Sequence, residues 1–212
     1  MSKKGFMVTI FMILLANLIY ANVEDFEEIK GSKEMFEKLK HGGFVIYIRH
    51  GKTDTSQRDY YPVVLNDCSK QRSLSDEGRE ELAKIGEYIR KANIPIGDIF
   101  SSPMCRAKES TLIMFGEKYT TEMNLIYTAQ LTSEEKKPVI AKTRELISTP
   151  IKEKGVNRVM VAHAPNLADL MGYFPETEGS FIVFEPLGEG KYRYLGTILP
   201  DDWKDFGLEI FQ

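Results

Sequence analysis

From residue 44 onward, short apolar runs alternate with stretches whose apolar side chains recur at helical spacing, and that alternation restricts the chain to a layered α/β architecture. The first run, residues 44–48, stops abruptly at Arg49, His50 and Gly51. Strand-forming residues that end in a cation, an imidazole and a glycine deliver the imidazole to the carboxyl end of a sheet, where α/β proteins build their sites. A single Arg-His pair is a weak signal, so the rest of the chain has to supply its partners.

A polar lead-in over residues 23–40 reads as helical. Ser75 is a good N-cap for a helix whose Leu82, Ile85 and Ile89 share one face, and Asn93 to Pro95 stop it. A strand over 98–101 runs into Ser102-Pro103, where proline suits the opening of a helix that places Arg106 in its first turn and ends near Phe115. A third strand is expected over 123–127, a charged helix over 133–148, and a fourth strand over 158–162 that ends at His163. A short helix over 165–171 and a hairpin of 181–185 with 192–198, around Gly188-Glu189-Gly190, complete one domain with a mixed sheet.

With 28 basic against 31 acidic residues the 212-residue chain carries a net charge of -3, which lacks the basic footprint of a nucleic-acid binder. Any anion site must be local. The first 21 residues have the form of an export signal: Lys3 and Lys4, an apolar stretch from Phe6 to Ala16, and Ala21 as a small cleavage residue. The domain then spans 22–212, in the periplasm or secreted, with no stable membrane insertion once the signal is removed. Ile19 is bulky for a position just before cleavage, which leaves an uncleaved membrane anchor as the alternative. In an oxidising compartment Cys68 and Cys105 either pair as a disulfide or stay as two separate thiols. Two distant cysteines and three histidines form no zinc spacing, so no metal and no cofactor are expected.

Three strand ends thus present Arg49 with His50, Arg106, and His163. Taken singly, His163 reads as a core histidine and Arg106 as a solvated helix residue. Gathered by a common strand direction, two imidazoles and two guanidiniums suit a phosphoryl group, because the guanidinium fork matches phosphate oxygens and keeps its charge. The N–H groups at the start of the Arg106 helix would reinforce that preference. A neutral His50 could attack phosphorus, with His163 and the arginines stabilising the charge of the transition state.

These residues resemble the histidine phosphatase superfamily, the phosphoglycerate-mutase-like group. The resemblance runs through Arg49-His50-Gly51 with Thr53, Leu74-Ser75 with Gly78, Ser101-Ser102-Pro103 with Arg106-Ala107, and His163 ahead of Pro165-Asn166. Asp67-Cys68-Ser69, with Gln71 and Arg72, is similar to a segment of its exported bacterial phosphatases. The resemblance implies a three-layer α/β/α sandwich with a mostly parallel mixed central sheet, His50 as the phosphorylated nucleophile, and Arg49, Arg106 and His163 on the phosphoryl group. Ser110 stands where threonine is frequent, and Ala162 and Ala164 flank the second histidine in place of glycine, serine or asparagine. The glutamate that many members place after the third strand is replaced by Thr128-Ala129-Gln130, which leaves Glu134, Glu135 and Glu178, with Glu176 beside it, as candidate general acids. For Glu134 and Glu135 the simpler reading is an acidic first helical turn. Without an acid, esters with good leaving groups, or phosphohistidine, are favoured.

The expectation is an exported, metal-independent phosphomonoesterase acting on a small or envelope-derived phosphate ester, with Thr53, Lys52, Arg58 and Arg72 helping to recognise the substrate. The alternatives are a protein phosphohistidine phosphatase and a non-catalytic phosphate-binding envelope protein. Natural substrate and oligomeric state are open at this level.

Overall fold

The computed structural model describes residues 26–207, and the expected export signal lies outside them. Six strands form one sheet in the order β3-β2-β4-β1-β5-β6. They are β1 (Val45–Arg49), β2 (Ile96–Ser101), β3 (Thr120–Thr121), β4 (Asn157–Ala162), β5 (Phe181–Gly188) and β6 (Lys191–Ile198). The first four run parallel, and β5 and β6 pair antiparallel as a hairpin. Glu189 and Gly190 turn that hairpin with φ of 52° and 74°, the left-handed pair that a tight two-residue connection needs.

Alternation along the strands feeds two apolar layers, one on each face. Ile46, Ile48, Val159, Val161 and Val183 point to the side covered by α1 (Lys33–Leu39), α2 (Asp76–Lys91), α3 (Cys105–Phe115) and α6 (Asp202–Gly207). Val45, Tyr47, Met160, Ala162, Ile182 and Phe184 point to the opposite side, against α4 (Ser133–Ser148) and α5 (Ala164–Met171). The result is the three-layer sandwich of the phosphoglycerate-mutase-like fold, as the motifs imply. Among the described residues no helix is long and apolar enough to cross a membrane.

Register fixes where the strands stop together. Arg49 pairs with Ala162 and Ser101 with Val161, so the next residues, His50, Ser102 and His163, leave the sheet along one edge. Two sequence expectations shift. The lead-in is helical only over α1; before it, Lys30 bridges to Thr197 beside the hairpin, and Ser32 caps α1 by accepting from the Met35 N–H. Residues 123–127 are not a strand: the edge strand is Thr120–Thr121, and Met123–Leu125 is a short 3-10 turn whose Asn124 N–H donates to Glu122. An apolar run beside a local side-chain acceptor turns rather than extends.

Candidate active site

His50 sits 2 % exposed at the end of β1. Its Nδ1 lies 3.0 Å from the Gly51 carbonyl, an acceptor only, so the ring proton is assigned to Nδ1 and Nε2 carries the lone pair. The chain can turn there because Gly51 has no side chain: a Cβ would come within 2.5 Å of Leu82. The Gly51 N–H donates to Ser110 Oγ, which in turn donates to the Arg106 carbonyl, tying the two motifs together. Gly78 plays a similar part under the next turn, where a Cβ would meet the Lys52 carbonyl oxygen at 2.3 Å.

Arg106 is fully buried in the first turn of α3, and its Nε–H donates to His50 Nε2 at 3.1 Å. Its Nη1 donates to both oxygens of Asp59, at 2.9 and 3.1 Å. His163 stands beside them, its ring centroid 5.2 Å from that of His50. Ser102 Oγ accepts from the Met104 N–H and lies 2.8 Å from His163 Nε2. With the hydroxyl proton then free for Nε2, the His163 ring proton is assigned to Nδ1. The Tyr47 hydroxyl grips the same residue twice, donating to the His163 carbonyl and accepting from its N–H. Tyr127 closes one side, with its ring 5.5 Å from His163 and the Arg106 guanidinium 5.3 Å from its face.

Arg49, next to His50 in the chain, donates to the carbonyls of Pro175 and Glu176 and, at 3.3 Å, to Glu178. Glu178 also accepts from the Thr53 N–H and hydroxyl, and lies 3.7 Å from Arg72 Nη2 and 3.9 Å from His50 Nδ1. Four buried donors here have no hydrogen-bond partner: Arg49 Nε, Arg72 Nε, Arg106 Nη2 and His163 Nδ1. Burial costs such groups their hydration, so their convergence marks an anion site. Burial is also the main force holding both imidazoles well below the ordinary histidine pKa, and the charges of Arg106, Arg49 and Arg72 add to it. The two rings are therefore neutral near pH 7.

The other candidates fall elsewhere. Lys52 points away from the centre to Glu77 and Glu81, and Arg58 is exposed. Glu134 pairs with Lys137 in solvent, and Glu135 completes a capping box with Thr132. Two N–H groups at the start of α3 are already used, Met104's by Ser102 and Cys105's by Gln71. Cys68 and Cys105 are joined as a disulfide, fixing the 54–74 loop to that same helix start. Sequence reasoning missed Asp59, Tyr47 and Tyr127. Asp59 lies in a loop without periodicity, and nothing local distinguishes the two tyrosines from core.

A family model, the histidine phosphatase superfamily (branch 1), matches residues 45–132, the stretch that holds Arg49, His50, Asp59, Arg72 and Arg106. No curated protein matches the chain in sequence. Its fold is similar to that of the protein histidine phosphatase SixA complexed with tungstate, at 15% identity over 75% of this chain and 98% of that one, TM-score 0.50. It is equally similar to mycobacterial hydrolase 1, at 17% identity over 73% and 97% of the two chains, TM-score 0.50.

Proposed function

We propose that this chain, a phosphoric monoester hydrolase of the histidine phosphatase type by family match and fold, is an exported phosphomonoesterase that works through a phosphohistidine on His50. The observation that carries the reading is the ring of unpartnered buried donors on Arg49, Arg72, Arg106 and His163 around an imidazole whose Nε2 lone pair is set by the Gly51 carbonyl.

In the first transfer, Arg106 turns its Nε–H and free Nη2 from His50 onto a phosphoryl oxygen, releasing the nucleophile's lone pair. His50 Nε2 then forms a bond to phosphorus as the bond to the ester oxygen breaks, its electron pair leaving with the alcohol oxygen. Arg49, Arg72 and His163 Nδ1–H bind the equatorial oxygens, where charge spreads in the transition state. In the second transfer, water attacks phosphorus, the P–N bond returns its pair to Nε2, and the water's proton passes to solvent. Glu178 and Asp59 both serve as acceptors to arginine and backbone donors, so the leaving oxygen draws its proton from water. Esters whose alcohol leaves readily as an anion suit such a site.

Charge stabilisation comes from arginine, and among the described residues no cluster of three or more His, Cys, Asp or Glu could hold a metal. Export is supported by the form of residues 1–21 and by the Cys68–Cys105 bridge, which persists in oxidising compartments. The test is phosphate release from phenyl phosphate by the full chain with a chelator present. The expected result is turnover indifferent to the chelator, lost by about 10³-fold or more in His50→Ala, with an acid-labile, alkali-stable phosphoenzyme on rapid quench. Chelator-sensitive turnover, or phosphate binding without turnover, would overturn it.

A further inference from the structure

Beside the histidine pair, and sharing its Tyr127 wall, lies an open cavity of about 150 Å³ lined by Tyr61, Val63, Met104, Ile126 and Leu131, with the polar Gln130 and Glu135 also on its lining. We propose that this cavity receives the leaving group and selects phosphate monoesters of uncharged aromatic alcohols. The inference rests on the phosphatase reading above and adds the substrate class to it.

Four observations point the same way. The first is position. Tyr127 packs on His163 and Arg106, and Tyr61 and Val63 follow Asp59, whose carboxylate is held by Arg106, so both walls are attached to phosphate-binding groups. An alcohol bonded to a phosphoryl group there has the cavity next to it. The second is size and surface, since a mainly apolar cavity of about 150 Å³ accommodates one six-membered ring. Tyr61 and Tyr127 offer it ring faces and edges.

Charge is the third: no lysine or arginine lines the cavity, and the one charged side chain, Glu135, repels a second phosphate or a carboxylate on the leaving group. Arg106 reaches the cavity only behind the Tyr127 ring, with its guanidinium 5.3 Å from that ring and its Nε–H on His50. The fourth is chemistry. The two carboxylates near His50 are occupied as acceptors, and a phenol, which ionises near pH 10 as tyrosine does, departs without a proton far more readily than an aliphatic alcohol. The P–O bond breaks with its pair on the aryl oxygen, which is then protonated by water.

The experiment compares phenyl phosphate with 4-carboxyphenyl phosphate on the full chain. Intrinsic leaving ability slightly favours the carboxylated ester, so a preference for phenyl phosphate has to come from the protein. The expected kcat/KM ratio favours phenyl phosphate by about tenfold or more, chiefly through KM. Glu135→Gln, which keeps the capping box, narrows the gap, and Val63→Arg at a half-buried position reverses it. Competitive inhibition by inorganic phosphate, which needs only the histidine and arginine centre, stays at the level of the unaltered protein in both variants. Equal use of the two esters, or a ratio that neither variant moves while phosphate still inhibits, overturns the aromatic subsite and leaves the phosphatase reading standing. Failure to turn over either ester together with failure to bind phosphate overturns the phosphatase reading, and the subsite with it.

Discussion

His50 and His163 are buried bases among permanent cations, and the physical consequence is a linkage between protonation and folding. Their folded-state pKa values lie well below the 6.5 of a free histidine, chiefly through burial and then through the Arg106 charge. As pH falls past 6.5 the unfolded chain therefore takes up these protons first. Stability from this source is fully present above 6.5 and is lost below it, at up to about 1.4 kcal/mol per pH unit for each ring. Urea unfolding in phosphate-free buffer between pH 7.5 and 5 should show that slope, and His163→Gln should make it shallower. An unchanged slope in the variant would contradict a buried neutral His163. The same depression keeps His50 a free base at pH values where an exposed imidazole is already protonated.

At the next scale the 54–74 loop is the least regular element and the one that joins all the functional parts. Thr53 starts it on Glu178, Asp59 anchors it to Arg106, and Gln71 accepts from the Cys105 N–H while donating to the Val64 carbonyl. The disulfide closes a loop between residues 37 apart. Closing a loop of that length restricts the unfolded chain by about 3–4 kcal/mol in the chain-entropy account. Replacing both cysteines by serine should lower the unfolding free energy by about 2–4 kcal/mol and raise KM for phenyl phosphate, because Tyr61 and Val63 ride on the same loop. A lower stability with unchanged KM would mean that the Asp59 and Gln71 bonds hold the loop unaided.

Across the whole molecule, a single tryptophan reports on closure of one layer. Trp203, 1 % exposed on α6, packs edge-on against Phe181 of the sheet and Phe36 of α1, so elements from both ends of the described chain meet at one ring. Removing that ring should cost about 3–5 kcal/mol in Trp203→Ala. In the unaltered protein, unfolding followed by tryptophan fluorescence and by far-UV circular dichroism should coincide, as expected of one cooperative unit. Separate transitions would show that the α1 and α6 layer melts independently of the sheet.

Local sequence determined the central strands and the residues that end them, but not the edge strand Thr120–Thr121. Ser75 caps the helix that was read from it, and β1 and β4 run up to His50 and His163 because apolar periodicity and its interruption are written in consecutive residues. It also placed the two histidines and Arg106 at strand or helix ends, and the parallel register of β1, β2 and β4 brought those ends to one edge. What only the tertiary structure decided is the direction of long side chains. Lys52 leaves the centre for Glu77 and Glu81, Glu135 is held by its own helix start, and Asp59 and Tyr127 arrive from segments without a motif. A backbone conformation follows from neighbours in the chain, whereas the partner of a charge or a ring is chosen among groups that become close only after the sheet has formed.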